Sequence, residues 1–230
     1  MNIEQARFNM IEQQIRPWDV LDSSVLSLLA VVKREDFVPL AYRALAFVYT
    51  EVPLPEGQAM LAPRVEARLL QELKVQRHET VLEIGAGSGF VAALLGHRAR
   101  EVITLENRPV LARMAADNLR RAGVANVQVR EADGRDGLAE ACRRIPAGRF
   151  MAWRRMSPAA MLSGSVSGVP ASLLAQLKPG GRLIAIEGAE PMMHATLYTK
   201  QGDGACSRTV LFDTVAPRLD GFAEPTRFHF

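Results

Sequence analysis

Apolar and polar positions change rhythm once along this 230-residue chain. Up to about residue 73 the apolar positions recur at helical spacing, and from residue 80 onward short apolar runs alternate with helical stretches. The first part opens with MNIEQARFNMIEQQIR, where Ile3, Phe8, Ile11 and Ile15 predict an amphipathic helix closed by Pro17. Asp22, Ser23 and Ser24 offer N-caps for a second helix over VLSLLAVV, since a short side-chain oxygen accepts from the free amides of a first turn. Residues 47–63 are rich in proline and glycine and read as irregular. Pro63 then suits the first turn of a third helix, where no N–H is needed. Val65, Leu69, Leu70 and Leu73 mark its buried face.

The second part alternates. VLEIG predicts a strand, FVAALLGHRA a helix and EVITLE a strand. A helix over 108–121 opens at Pro109 and closes near Gly123, and VQVREAD follows as a strand. A short helix is expected over 136–144, another over 169–177, and a strand at GRLIAIEG. HATLYTKQ and SRTVLFDTV flank Gly202–Asp203–Gly204 and predict an antiparallel hairpin. The class is therefore α/β, with a mostly parallel sheet and helices on both faces. Residues 1–75 form an N-terminal helical cap region, and residues 76–230 form the core of one compact unit. One stretch resists the pattern. Alternation demands a central strand within RFMAWRRMSPAAMLSGSV, yet Arg154 and Arg155 are costly in a buried strand and Pro158 forfeits a ladder bond. A short strand over 159–162 is expected, preceded by an irregular or helical insert, and residues 150–161 as a whole are the stretch whose nature the pattern leaves open.

Composition narrows the class. With 48% hydrophobic residues the chain can bury a substantial core. No apolar run is long enough to span a membrane, and the N-terminus lacks the apolar centre of a secretory signal. Cys142 and Cys206 lie far apart with no ligand spacing, which reads as reduced thiols in a cytoplasmic protein without a metal site. The net charge of +3 is mildly basic. The arginine doublets at 120–121, 143–144 and 154–155 have no interleaved aromatics, so they read as solvated helix faces rather than a nucleic-acid surface. Neither nucleic acid nor membrane is expected as a partner.

The chemistry concentrates at VLEIGAGSGF. Gly85, Gly87 and Gly89 end a strand and open a helix, and their missing side chains let a ligand approach the backbone. In a parallel sheet that turn lies in the crevice beyond the strand ends. Ala86 and Ser88 belong to the same turn. Glu106 ends the next strand, beside Asn107, and can accept from both hydroxyls of a ribose. Asp133, followed by Gly134, ends the third strand and can accept from an adenine amino group. The turn has no lysine to hold phosphates, and Glu83 beside it favours an ammonium instead. An adenosine with an amino-acid tail and a sulfonium meets these demands, which is S-adenosylmethionine, giving S-adenosylhomocysteine as product.

These motifs resemble those of class I methyltransferases. MIEQQIRP, VLSLLAVVKREDFVP, AFVYTEVPLPEGQAMLAP and LLAQLKPGGRLIAIEG are similar to protein-L-isoaspartate O-methyltransferases over most of residues 5–190. The resemblance implies a Rossmann-like sheet with a helical cap, and methyl transfer to a carboxylate of damaged protein or peptide aspartyl residues. The family reads roughly Gln-Thr-Ile-Ser-x-Pro where this chain has QAMLAP, so Leu61 stands at the acceptor-site serine, beside Met60. Leucine has no donor or acceptor. Transfer to a different acceptor, including a small molecule, or cofactor binding without catalysis, therefore stays open. Ser163, at the end of the expected central strand, is the strongest candidate for an acceptor contact, with Tyr49, Thr50 and Ser88 behind it. No catalytic residue is assigned. An ionised carboxylate needs no general base, so the unrelated placing of His78, His97, His194 and His229 does not count against transfer.

Overall fold

The computed structural model describes residues 2–137 and 157–224. Helices α1 (Ile3–Met10), α2 (Ser23–Val31) and α3 (Pro63–Leu73) precede the sheet, with a small hairpin of β1 (Val52–Pro53) and β2 (Ala59–Met60) ahead of α3. Then come β3 (Thr80–Ile84), α4 (Phe90–Arg98), β4 (Glu101–Glu106), α5 (Pro109–Arg121), β5 (Val127–Glu131) and β6 (Ser157–Val166). The chain closes with α6 (Ala171–Ala175), β7 (Leu177–Ala189), β8 (Met192–Lys200) and β9 (Cys206–Asp213). One seven-stranded sheet has the order β5-β4-β3-β6-β7-β8-β9. The strands from β5 through β7 run parallel, while β8 and β9 are antiparallel. The chain winds outward from β3 in both directions, and such a switch point opens a crevice beyond the strands' carboxyl ends.

Alternate side chains of β3 enter different layers, as strand geometry requires. Val81 joins an apolar layer that reaches into the helical region through Ile15, Leu69, Leu94 and Met161. Leu82 and Ile84 join the opposite layer with Ile103, Leu105, Leu162 and Leu183. Glu83 therefore projects toward the helical side.

In the helical region two expectations hold closely. Asp22 caps α2 by accepting from the amides of Ser24 at 2.8 Å and Val25 at 3.4 Å. Pro63 occupies the first turn of α3, whose Val65, Leu69, Leu70 and Leu73 are buried. The first helix differs. After Met10 it continues as a π turn over Ile11–Ile15 and a 3-10 turn over Arg16–Trp18. Met10, Ile11 and Ile15 are buried as part of its inner face, but Ile3 and Phe8 point to solvent, Phe8 at 58% exposure. Arg7 decides the rotation, since its guanidinium pairs with the buried carboxylate of Glu35 and turns Phe8 outward. The segment read as irregular contains the β1–β2 hairpin and 3-10 turns at Leu40–Phe47 and Pro55–Gly57.

The central strand is longer than 159–162, because two irregularities absorb its awkward residues. A register shift between Ser157 and Ala159 accommodates Pro158, which cannot donate to a ladder. A second shift lies between Met161, opposite Ile184, and Ser165, opposite Ile186. Such a bulge re-aims the extra residues. The helix expected over 169–177 shrinks to α6, because Leu177 already pairs with Ser157 and Pro179 cannot extend a helix. Of the helix expected over 136–144, only residues 136 and 137 are described, at the end of the 3-10 turn Gly134–Asp136, and most of the 150–161 insert lies outside the described residues. The C-terminal hairpin forms as expected, with Gly204 at φ 91° in its turn.

Candidate active site

Beyond the tip of β3 the backbone turns through Gly85, Gly87 and Gly89 at φ 91°, 52° and 84°. Side chains rarely enter that region, so the turn needs glycine. The Gly85 amide donates to the Leu105 carbonyl at 2.8 Å, tying the turn to β4. Gly89 caps α4, and a Cβ there would lie 3.1 Å from the Ala115 backbone. Its role is therefore to seat α4 on α5, while Gly85 and Gly87 line the cleft.

Glu106, at the tip of β4, is buried and held in place by two backbone amides. Its Oε2 accepts from the Gly87 amide at 3.0 Å and its Oε1 from the Arg108 amide at 3.1 Å. A carboxylate has about four acceptor sites, so each oxygen keeps capacity for one further donor. Asn107 and Gly134 complete this wall. Gly134 packs so tightly on Ile84 that a Cβ would come within 2.2 Å of its Cγ2. Asp133 also serves its own turn. It accepts from the Arg135 amide at 2.9 Å, capping the Gly134–Asp136 turn, and lies beneath Gly221 rather than in the cleft lining.

Glu83 is fully buried on the other side of the turn. Its Oε1 accepts from the Ser163 hydroxyl at 2.7 Å, whereas its Oε2 and the nearby Thr104 hydroxyl make no well-formed hydrogen bond among the described residues. Burial pushes its carboxyl up to about 7; the hydroxyls of Thr104 and Ser163 draw it down, and Glu106 and Glu66 push it further up. Ser163 reaches Glu83 because it sits in the β6 bulge. The pair stands where the cleft meets a second recess, lined by Met60, Leu61, Glu66, Ala86 and Ser88. Leu61 is buried there, and its carbonyl accepts from Arg34 Nη2 at 2.7 Å. Arg34 also donates to Ala46 O at 3.1 Å and to Glu66 Oε2 at 3.0 Å. Burial raises the Glu66 carboxyl, against the pull of that guanidinium.

Of the other acceptor candidates, Ser88 is buried in the recess wall, where its hydroxyl accepts from the Phe90 amide at 3.4 Å. Tyr49 is exposed beside Arg64, and neither it nor Thr50 lines the recess. Sequence reasoning missed Leu54, Gln58 and Ala59 of the β1–β2 hairpin and Leu219 and Asp220 of the C-terminal segment, all of which line the cleft. The hairpin residues carry no local signal. Arg108, two positions after Glu106, was open to notice as a charge at the cleft rim.

A family model described as Protein-L-isoaspartate(D-aspartate) O-methyltransferase matches residues 5–215. A protein-L-isoaspartate O-methyltransferase from Koribacter versatilis is 32% identical over 90% of this chain and 87% of its own length. One from Rhodopseudomonas palustris is 36% identical over 94% of this chain and 95% of its own. The fold matches a Plasmodium falciparum structure described as a protein-L-isoaspartate O-methyltransferase in complex with S-adenosyl-L-homocysteine, with a TM-score of 0.71 and 18% identity, covering 96% of this chain and 99% of that one. Given a match that runs from the helical region through the C-terminal hairpin, the chain belongs to the protein-L-isoaspartate(D-aspartate) O-methyltransferase family.

Proposed function

We infer that the cleft holds S-adenosylmethionine and that the chain transfers its methyl group to the free α-carboxylate of isoaspartyl residues in damaged proteins, whose side-chain carboxyl is taken up in the peptide bond. The observation that carries the reading is the setting of Glu83. It is a fully buried carboxylate with one oxygen that has no well-formed hydrogen bond among the described residues, beside a turn of positive-φ glycines. An unpaired buried oxygen calls for a cationic or hydrogen-bonding ligand, and an amino-acid ammonium supplies both. The free acceptor capacity of Glu106 suits ribose hydroxyls, and Gly85 and Gly87 leave the backbone open to close approach.

When bound, the donor supplies a methyl group already activated by its sulfonium. The work left to the chain is alignment, and orientation alone can contribute about 7–11 kcal/mol to lowering a barrier. Glu106 and Glu83 fix the two ends of the donor. Met60 and Leu61 give the acceptor recess an apolar wall that excludes water, while Ser163 presents the one hydroxyl shared by cleft and recess. The acceptor carboxylate is ionised at neutral pH, so no side chain need remove a proton. An ammonium beside Glu83 also cancels a negative charge that otherwise opposes an incoming carboxylate.

The test is methyl transfer from S-adenosylmethionine to a synthetic isoaspartyl peptide, with the aspartyl peptide as control. Methylation of the isoaspartyl form alone is expected. Leu61→Ser restores a hydroxyl to the recess, and one good hydrogen bond raises kcat/KM about tenfold. Equal rates on the two peptides, or a loss of activity in Leu61→Ser, would contradict the assignment of the recess.

A further inference from the structure

The cleft lies under a strap. After β9 the chain, residues 214–224, doubles back across the tips of β3 and β6 instead of leaving the molecule. Ser165 fastens it, donating through its amide to Pro217 O at 2.7 Å and through its hydroxyl to Ala216 O at 2.8 Å. The Leu219 amide returns a bond to Ser165 O at 2.9 Å. Leu219 then packs directly over the glycine turn, and a Cβ on Gly85 would meet its Cδ2 at 2.6 Å. Opposite the strap, the Pro55–Gly57 turn of the β1–β2 hairpin forms the other rim.

One side chain joins the two rims. Arg108 Nε donates to Asp220 Oδ2 at 2.7 Å on the strap. Its Nη1 donates to the Glu56 carbonyl at 2.9 Å and to Glu56 Oε2 at 3.3 Å on the turn. Its own amide donates to Glu106. The free space beneath is about 40 Å³. Pockets for drug-sized ligands measure roughly 300–1,000 Å³, so a nucleoside is seated only once Leu219 and its neighbours shift aside.

We propose that Arg108 is a positioning residue for the methyl donor: through Asp220 and Glu56 it latches the C-terminal strap and the Pro55–Gly57 turn over the cleft and sets how fast the donor and its product exchange. The proposal rests on the cleft being the donor site. Arg108 touches no reacting atom in this scheme. It acts by holding Leu219 and Glu56 in place, and its pairs are partly open to solvent, so they break often enough for turnover. The latch joins segments far apart in sequence, so it closes only when residues 214–220 are folded onto the core.

The experiment is surface plasmon resonance on the full-length protein, with S-adenosylhomocysteine as analyte, for the wild type, Arg108→Gln and Asp220→Asn. Loss of partly exposed pairs predicts release about fivefold to tenfold faster in Arg108→Gln and about threefold to fivefold faster in Asp220→Asn, with association accelerated as well. Dissociation constants change less than either rate, a split that general damage to the fold does not produce. Wild-type release accelerates with added salt, whereas Arg108→Gln loses that dependence. Asp220→Asn leaves Arg108 and its bond to the Glu56 carbonyl in place, so it carries the test even if Arg108→Gln folds poorly. Unchanged release and salt dependence in Asp220→Asn would overturn the latch and leave the donor site standing. Failure of the wild type to bind S-adenosylhomocysteine would overturn the donor site, and the latch with it.

Discussion

Replacing Glu83 by glutamine probes the site through stability alone. The carboxyl lies at about 7 in the fold against 4.5 for an ordinary glutamate, chiefly because burial penalises its charge. The folded protein therefore keeps a proton that the unfolded chain gives up between those two values. Stability is untouched by this group below pH 4.5, falls as pH rises toward 7, and is lower by a constant amount above it. At about 1.4 kcal/mol for each unit, the full cost is on the order of 3 kcal/mol. Glutamine has nearly the same shape, can still accept from Ser163, and never bears that cost. Urea unfolding of the wild type and Glu83→Gln at a series of pH values isolates the effect, because other titrating groups are common to both. Between pH 5 and pH 8 the variant should gain about 2–3 kcal/mol on the wild type. A difference constant to within about 1 kcal/mol across that range would refute the reasoning, since one pKa unit is worth that much. The same proton reports on the ligand. An ammonium beside Glu83 Oε2 lowers its pKa, so S-adenosylhomocysteine binding at pH 7 should release about half a proton, seen by calorimetry in buffers of different ionisation enthalpy.

Two other predictions concern the frame around the site. Gly89→Ala places a side chain at φ 84° and a Cβ 3.1 Å from the Ala115 backbone, so it should lower stability by about 2 kcal/mol in urea unfolding; an unchanged midpoint would remove the packing role given to this glycine. Arg34→Met leaves Glu66 buried without its partner and should cost about 3–5 kcal/mol, with most of the loss recovered in the Arg34→Met, Glu66→Leu double variant. A double variant no more stable than Arg34→Met would mean that the bonds to Ala46 and Leu61, not the charge pair, hold that region together.

The sheet was legible where one residue pattern met one structural demand. The runs at 81–85 and 101–106 are short, apolar and bounded by turn signals, and both became parallel strands. Asp22 and Pro63 announced helix starts by local chemistry that needs no tertiary partner. The central strand was less legible, because Pro158 and the Ser163–Gly164 bulge break the ladder and only the neighbouring strand shows how it is repaired. The face of α1 was misjudged at Ile3 and Phe8, since a buried Arg7–Glu35 pair outweighed the apolar count. Glu83, Glu106 and Ser163 come together at one cleft because strand-end positions share one edge in a parallel sheet. Asp133 was placed by the same rule, but it serves its own turn and lies under the strap. The strap itself has no periodicity. Its fastening to Ser165 and Arg108 depends on contacts between distant parts of the chain, which no local window contains.

The most direct test of the cradle formed by these strand tips is calorimetric titration of S-adenosylhomocysteine into the wild type and Glu106→Ala. The wild type should bind with a Kd on the order of micromolar, about −8 kcal/mol, and the variant at least about tenfold more weakly. Equal affinity in the two proteins, with the variant folded by circular dichroism, would contradict the place given to Glu106 and the donor site built around it.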